Sequence, residues 1–199
     1  MYPFIETIQI KKGVICNLDY HNRRMNTTRT VFQKNCLPLN LKDYVHYEGD
    51  EESIKCRVVY NNTIEEITYT PYQIRPVHTL RVIHHNSIEY AYKSTDREEI
   101  NALFAQRGTC DDILIVKNGK ITDTSIANVA FLDETGWYTP TYPLLKGTKR
   151  AELLDKGILQ EKDIQIEHLF DYSHITLFNA MIDFGRIKID ITPQAIKQL

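Results

Sequence analysis

Apolar and polar residues alternate from Phe4 to Ile10, with Phe4, Glu6, Ile8 and Ile10 set against Ile5, Thr7 and Gln9. The alternation is imperfect, but Gly13 separates this run from Val14-Ile15-Cys16, so the pattern predicts a hairpin at the start of the chain. A helix is expected from Tyr20 to about Lys34, carrying His21, Arg24 and Met25 on neighbouring turns and ending ahead of Pro38. A second helix is expected after Asn40, with Leu41, Tyr44 and Val45 as its apolar positions. Ile54 to Tyr60 and Ile64 to Thr70 read as strands joined at Asn61-Asn62, a pair that tolerates the left-handed backbone of a tight hairpin. The first sheet is therefore expected to be antiparallel.

Two prolines, Pro71 and Pro76, lie within six residues and resist both helix and central strand, which marks an interdomain crossing. The expected domains are a small N-terminal α/β domain over 1–73 and a larger one over 76–199. In the second, Leu80 to His84 and Ile88 to Tyr92 read as strands, and Lys93 follows at a strand-to-helix corner. Thr95 and Glu98 have the spacing of a capping box for a helix that places Ile100, Leu103 and Phe104 on one face and stops at Gly108. Asp112 to Lys117 is an apolar strand, and Asn118-Gly119 is the strongest hairpin signal in the chain. Val129 to Leu132 and Trp137 to Thr139 form another strand pair, and a helix runs from Thr148 to Gly157. Further strands are expected near Ile164 to Leu169, Ile175 to Asn179 and Ile187 to Ile191. Thr192-Pro193 is expected to start a short last helix.

With 199 residues, 42% hydrophobic and 25% charged, the composition is that of a soluble globular protein of one large or two small domains. A formal net charge of -2 supplies no basic excess for nucleic acid, and His21-Asn22-Arg23-Arg24 is too short to change that. No signal-like segment or membrane-length apolar run is present, so a cytoplasmic protein is expected. Cys16, Cys36, Cys56 and Cys110 lack the paired spacing of a zinc site or disulfide frame and read as reduced thiols.

Dinucleotide, Walker, nucleophile-elbow and zincin motifs are all missing. His84-His85 is adjacent rather than spaced to share a helix face, and Asp111-Asp112 reads as a solvated strand start. Ile121 to Arg150 is more informative. Asp123 precedes a small-residue turn into a strand, and Gly147-Thr148-Lys149 opens a helix whose exposed N–H groups suit a phosphate. Lys93 follows the aromatic run Tyr90-Ala91-Tyr92. A partly desolvated lysine suits Schiff-base formation, although a surface lysine is the plainer reading of the same pattern. Taken with Arg24 and Asn179, these residues offer a cation for phosphate, an amine, an acid and a helix terminus, the groups that pyridoxal phosphate requires.

Over nearly the whole chain the residues resemble the class IV aminotransferases of pyridoxal-phosphate fold type IV. F-I-E-T-I with H-N-R-R is similar to the family's F-E-T-I-R and H-x-x-R, K-S-T-D-R to K-x-x-N-R, T-D-T-S-I-A-N to T-E-x-x-x-x-N, and G-T-K-R to G-I-T-R. The resemblance implies a mixed α/β (α+β), two-domain, D-amino acid aminotransferase-like fold, with pyridoxal 5'-phosphate in the cleft and a homodimer that completes each site. It implies Lys93 as the catalytic Schiff-base lysine, Arg24 and Asn179 as phosphate anchors together with the Thr148 and Lys149 backbone amides, Asp123 as partner of the pyridine nitrogen, and Ala127 as a ring-facing residue. Asp123 stands where the family has glutamate, which shortens its reach by roughly 1.5 Å. The chain also begins at the F-E-T-I-type strand, so a smaller first sheet is expected.

Within the family, K-S-T-D-R and F-N-A-M-I at Phe178 to Ile182 are similar to K-T-L-N-R and C-N-A-L-M of 4-amino-4-deoxychorismate lyase. That resemblance implies conversion of 4-amino-4-deoxychorismate to 4-aminobenzoate and pyruvate. Transamination of a branched-chain or D-amino acid, and a non-catalytic relative that binds pyridoxal phosphate or another phosphometabolite, are the alternatives.

Overall fold

The computed structural model describes residues 2–33 and 35–198. It divides into two units, Met1–Ile74 with Tyr92–Asp96, and Arg75–Ala91 with Arg97–Leu199. The division falls between Pro71 and Pro76, but the chain re-enters the first unit at Tyr92–Asp96, a stretch that sequence order assigned to the second.

In the first unit, strand β1 (Phe4–Lys11) turns at Lys12 and Gly13, both at positive φ, into β2 (Val14–Ile15). Helix α1 (Leu18–Phe32) follows, two residues earlier at its start than the pattern predicted. The predicted end at Lys34 lies outside the described residues. Its buried residues His21, Met25, Thr28 and Arg29 recur at helical spacing and form one face. The helix expected after Asn40 is a single 3-10 turn, Leu41–Asp43, in which Asn40 accepts a hydrogen bond from the Lys42 N–H. A local side-chain bond of this kind competes with helix continuation.

Strands β3 (Ile54–Tyr60) and β4 (Ile64–Pro71) complete an antiparallel sheet of order β2-β1-β3-β4. Ile10 pairs with Ile54 and Phe4 with Tyr60, which places Phe4, Ile8, Cys56, Val58 and Tyr60 in one apolar cluster with Met25. Full burial of each large side chain there contributes about 1.5–3 kcal/mol. The β3–β4 connection does not use left-handed asparagines. Neither Asn61 nor Asn62 has positive φ, and a register shift at Val59/Tyr60 absorbs the three-residue loop instead.

The second unit begins with β5 (Leu80–His84), helix α2 (Glu98–Ala105) and β6 (Asp112–Lys117), with β5 and β6 parallel. Asn118 and Gly119 both take positive φ and turn β6 into β7 (Lys120–Thr124), as the sequence predicts. Strands β8 (Asn128–Asp133) and β9 (Gly136–Pro140) continue the sheet, and helix α3 (Thr148–Asp155) precedes β10 (Gln160–Lys162), which lies parallel to β9. Strand β11 (His174–Asn179) pairs with both β8 and β12 (Ile182–Asp190). The last strand, β13 (Ile196–Lys197), lies parallel to β5. The result is a mixed α/β protein, and among the described residues no helix is long and apolar enough to cross a membrane.

Four local expectations fail in this unit or at its edge. Ile88 to Tyr92 is irregular rather than a strand. Ile88 and Tyr90 are buried with Ile100, Leu103 and Ile113, and the Lys117 ammonium takes the Ile88 carbonyl at 2.7 Å. Ile164 to Leu169 is mostly the 3-10 turn Ile166–Asp171, with Ile164 and Leu169 both buried. In each case an apolar run marks core packing without ladder pairing. The capping box is unmade: Arg97 is the α2 N-cap residue, and the Thr95 N–H donates to Pro3 O. After Thr192-Pro193 one turn leads into β13 rather than a helix, burying Ile196 beside Leu80.

Candidate active site

Glu6 sits on the inward face of β1, fully buried, where an apolar residue would continue the pattern. Its carboxylate is surrounded by donors from α1. His21 and Arg24, three residues apart, share a helix face, and Glu6 accepts from His21 Nδ1 at 2.6 Å, Arg24 Nε at 2.9 Å and Arg24 Nη2 at 2.5 Å. A carboxylate only accepts, so Nδ1 of His21 carries the proton. Burial pushes the Glu6 pKa up, but the Arg24 charge and the His21 and Arg24 hydrogen bonds outweigh it and bring the value to about 2. Burial lowers the pKa of His21, which favours the neutral ring.

Lys93 is half-buried and follows irregular chain instead of a strand. Its carbonyl accepts from the Ile5 N–H at 2.8 Å, and Ser94 bridges to Phe4, so the lysine backbone is tied to β1 one residue from Glu6. Tyr92 packs edge-on against Phe32, with ring centroids 4.8 Å apart. The Lys93 charge is among those that hold the His21 pKa down. The first unit thus brings together Arg24 and Lys93 with Glu6 and His21, the acidic residue of the F-I-E-T-I run and the histidine of H-N-R-R, to which the sequence assigned no role. Their places in those two runs were the available signal.

In the second unit, Asp123 is buried and both of its oxygens are used. Oδ1 accepts from Asn128 Nδ2 at 2.8 Å and Oδ2 from the Leu145 N–H at 2.9 Å. Burial raises its pKa to about 6, against the lowering effect of those donors and of the Arg150 charge. Ala127 is buried at the turn from β7 to β8, where its N–H donates to Thr124 Oγ1.

Gly147 is the N-cap residue of α3, and a Cβ built there would lie 2.0 Å from Asn128 Oδ1, so only glycine fits this cradle. Thr148 is buried in the first turn of the helix. The Lys149 ammonium is engaged by Glu152 at 2.8 Å and Asp183 at 3.7 Å, which leaves its backbone amide as the group for an anion. Asn179 has a structural assignment for its side chain. Oδ1 accepts from the Met181 and Ile182 N–H groups, and Nδ2 donates to Ile126 O at 3.0 Å, steadying the loop that carries Ala127.

Two arginines and an acidic pair also find their places. Arg97, the N-cap residue of α2, donates from Nη2 to Ser125 O at 2.6 Å. Arg150 is buried at the start of α3 and donates to Pro140 O and Glu161. Asp112 starts β6, as expected, but the pair is not solvated as the sequence suggests. Asp111 accepts from the His78 and Thr79 N–H groups, and Asp112 is fully buried, with burial raising its pKa.

These groups fit a phosphorylated, nitrogen-containing aromatic ring. The side-chain-free cradle at Gly147 opens a helix N-terminus of the kind that binds phosphate, and a buried acid with two fixed donors suits a ring N–H.

The family model for amino-transferase class IV matches residues 4–189. The chain is 40% identical over 185 residues to an uncharacterized protein of Haemophilus influenzae, covering 91% of this chain and 98% of that one. It is similar to a solved structure of a candidate 4-amino-4-deoxychorismate lyase of Haemophilus somnus, with a TM-score of 0.83 and 34% identity over 92% of this chain and 97% of the other. A candidate aminodeoxychorismate lyase of Schizosaccharomyces pombe is 35% identical over 108 residues, 51% of this chain and 47% of its own length. The chain belongs to the class IV aminotransferase family, the fold-type IV enzymes that work with pyridoxal phosphate.

Proposed function

We propose that the protein is a lyase that converts 4-amino-4-deoxychorismate to 4-aminobenzoate and pyruvate. The observation that carries the substrate choice is the similarity, over almost the full length of both chains, to the Haemophilus somnus protein named for that reaction, with the Schizosaccharomyces pombe protein in support. The F-N-A-M-I run contributes less to the substrate choice, because Phe178, Met181 and Ile182 are buried.

Pyridoxal phosphate, when bound, supplies an electron sink for a carbanion next to the substrate nitrogen. Lys93 supplies the amine that carries the cofactor, takes the proton from the ring carbon bearing the substrate amine, and returns a proton as the enolpyruvyl group leaves as pyruvate. Aromatisation of the remaining ring drives the step forward. Asp123, as a carboxylate, keeps the cofactor nitrogen protonated. Arg24 and the amides of Thr148 and Lys149 hold the phosphate, Ala127 faces the ring, and Asn179 acts on the phosphate side through the Ile126 loop that it fixes. The reading includes a cytoplasmic homodimer, which sedimentation would show as about twice the 23.3 kDa chain mass.

The test is turnover of 4-amino-4-deoxychorismate by purified protein supplied with pyridoxal phosphate and no 2-oxo acid. Equimolar 4-aminobenzoate and pyruvate are expected. Turnover of an amino acid that strictly requires 2-oxoglutarate would make the protein a transaminase, and cofactor binding with no turnover of either kind would make it a binding protein.

A further inference from the structure

Asn128 occupies a position that neither the family assignment nor the proposed reaction gives a role. It is the first residue of β8, the backbone partner of Asp123 across the β7–β8 pair, and it is buried. Its amide faces two acceptors, Asp123 Oδ1 and Leu145 O, each at 2.8 Å, so the NH2 end is directed there and both of its hydrogens are spent. Leu145 in turn donates its N–H to the other Asp123 oxygen at 2.9 Å. Asp123, Asn128 and Leu145 therefore form a closed ring of three hydrogen bonds. The other end of the Asn128 amide, Oδ1, fills the space where any side chain at residue 147 would begin.

We propose that Asn128 is a positioning residue that locks the acid for the cofactor's ring nitrogen to the loop that delivers the phosphate-binding end of α3. The inference rests on the pyridoxal-phosphate site described above. Ring nitrogen and phosphate belong to one small molecule, joined through the ring and a short methylene-oxygen arm, so the two protein groups that meet them must keep their spacing within a narrow range. Leu145 lies two residues before Gly147, and Asn128 ties it to Asp123 from one side while its own N–H ties it from the other. Asn128 also supplies one of the few donors that oppose the effect of burial on Asp123. A carboxylate offers about four lone-pair sites, so the two bonds already made leave room for a ring N–H.

The experiment compares wild type, Asn128→Ala and the isosteric Asn128→Asp. It reads pyridoxal phosphate affinity from absorbance across pH and, separately, the titration of the Asp123 carboxyl in the apo protein by carbon NMR. Asn128→Ala should weaken affinity roughly 10–100-fold, the loss expected for hydrogen bonds to a charged group, and should move the acid limb of binding and the Asp123 titration to higher pH. Asn128→Asp keeps the shape but turns the donor into an acceptor facing two acceptors, so it should bind more weakly than the alanine variant. Wild-type affinity in Asn128→Asp would mean that packing alone matters and would overturn the inference. So would unchanged pH limbs in Asn128→Ala. If the variants fail to fold, the wild-type protein still decides the matter, because Asn128 side-chain amide protons that exchange with solvent as fast as those of an exposed asparagine would show that the bonds to Asp123 and Leu145 are not held and would sink the proposal. Failure of wild type to bind pyridoxal phosphate at all would sink the underlying reading instead.

Discussion

Glu6 and Asp123 are both carboxylates sealed from water, one in each unit, and their surroundings push them in opposite directions. Glu6 meets a guanidinium and a protonated imidazole nitrogen, and its pKa falls to about 2. Asp123 meets one amide N–H and one side-chain amide, with Arg150 acting only through its charge, and its pKa rises to about 6. Burial is the same in kind at both sites, so the difference lies in the charge of the donors. Glu6 is satisfied by its own unit and serves to fix Arg24. Asp123 is left short of positive charge, the condition that suits an acid awaiting a cationic ring N–H.

The largest effect that would break the contrast is expected from Glu6→Ala. Removing the acceptor takes the buried Glu6 carboxylate away from His21 and Arg24, a loss of about 3–5 kcal/mol by analogy with broken buried pairs. Urea unfolding at neutral pH measures it, with Glu6→Gln expected to fall between the variant and wild type. A loss under about 1 kcal/mol would show that the cluster does not hold the unit together.

Acidity separates the two residues next. Asp123 has a folded pKa above its ordinary 3.8, so its contribution to apo stability is full below 3.8 and is lost as pH rises through about 6. Glu6 has a folded pKa below its ordinary 4.5, so its contribution is full above 4.5 and is lost as pH falls toward about 2. Lowering the pH from 7 toward 4.5 should therefore stabilise the second unit, by on the order of 2 kcal/mol. Further acidification should destabilise the first. Pyridoxal phosphate should remove the first of these trends, because a bound ring N–H favours ionised Asp123. A monotonic loss of apo stability from pH 7 downward, with no gain that Asp123→Asn abolishes, would contradict the assignment.

A smaller effect should follow Gly147→Ala. The new Cβ must displace Asn128 Oδ1, costing about 1–2 kcal/mol of stability, and cofactor affinity should fall with it. Unchanged melting and unchanged affinity would show that the cradle is looser than its contacts indicate.

Much of this arrangement was legible in the chain. The first hairpin, the Asn118-Gly119 turn and the glycine opening α3 carry local signals that tertiary structure did not override. Ile88 to Tyr92 and Ile164 to Leu169 misled because hydrophobic runs report burial, and here the burial is met by irregular chain and a 3-10 turn. Thr192-Pro193 carried a helix-start signal, but the following residues gain more by adding a strand beside β5. Lys93, Arg24 and Asp123 were singled out by residue type together with the family resemblance. The side chains that surround them were not. Glu6 sits in a strand whose alternation is imperfect, which does not show that it meets Arg24, and the contact from Asp123 to Leu145 joins residues 22 apart through a loop with no pattern of its own.

The central claim is that Lys93 is the residue that takes up the cofactor. The direct measurement is to incubate the protein with pyridoxal phosphate, reduce with borohydride, and locate the modified lysine by peptide mass mapping. One stoichiometric adduct at Lys93, absent from Lys93→Ala, is the predicted result. Label spread over surface lysines, or concentrated at Lys149 or another site, would contradict it.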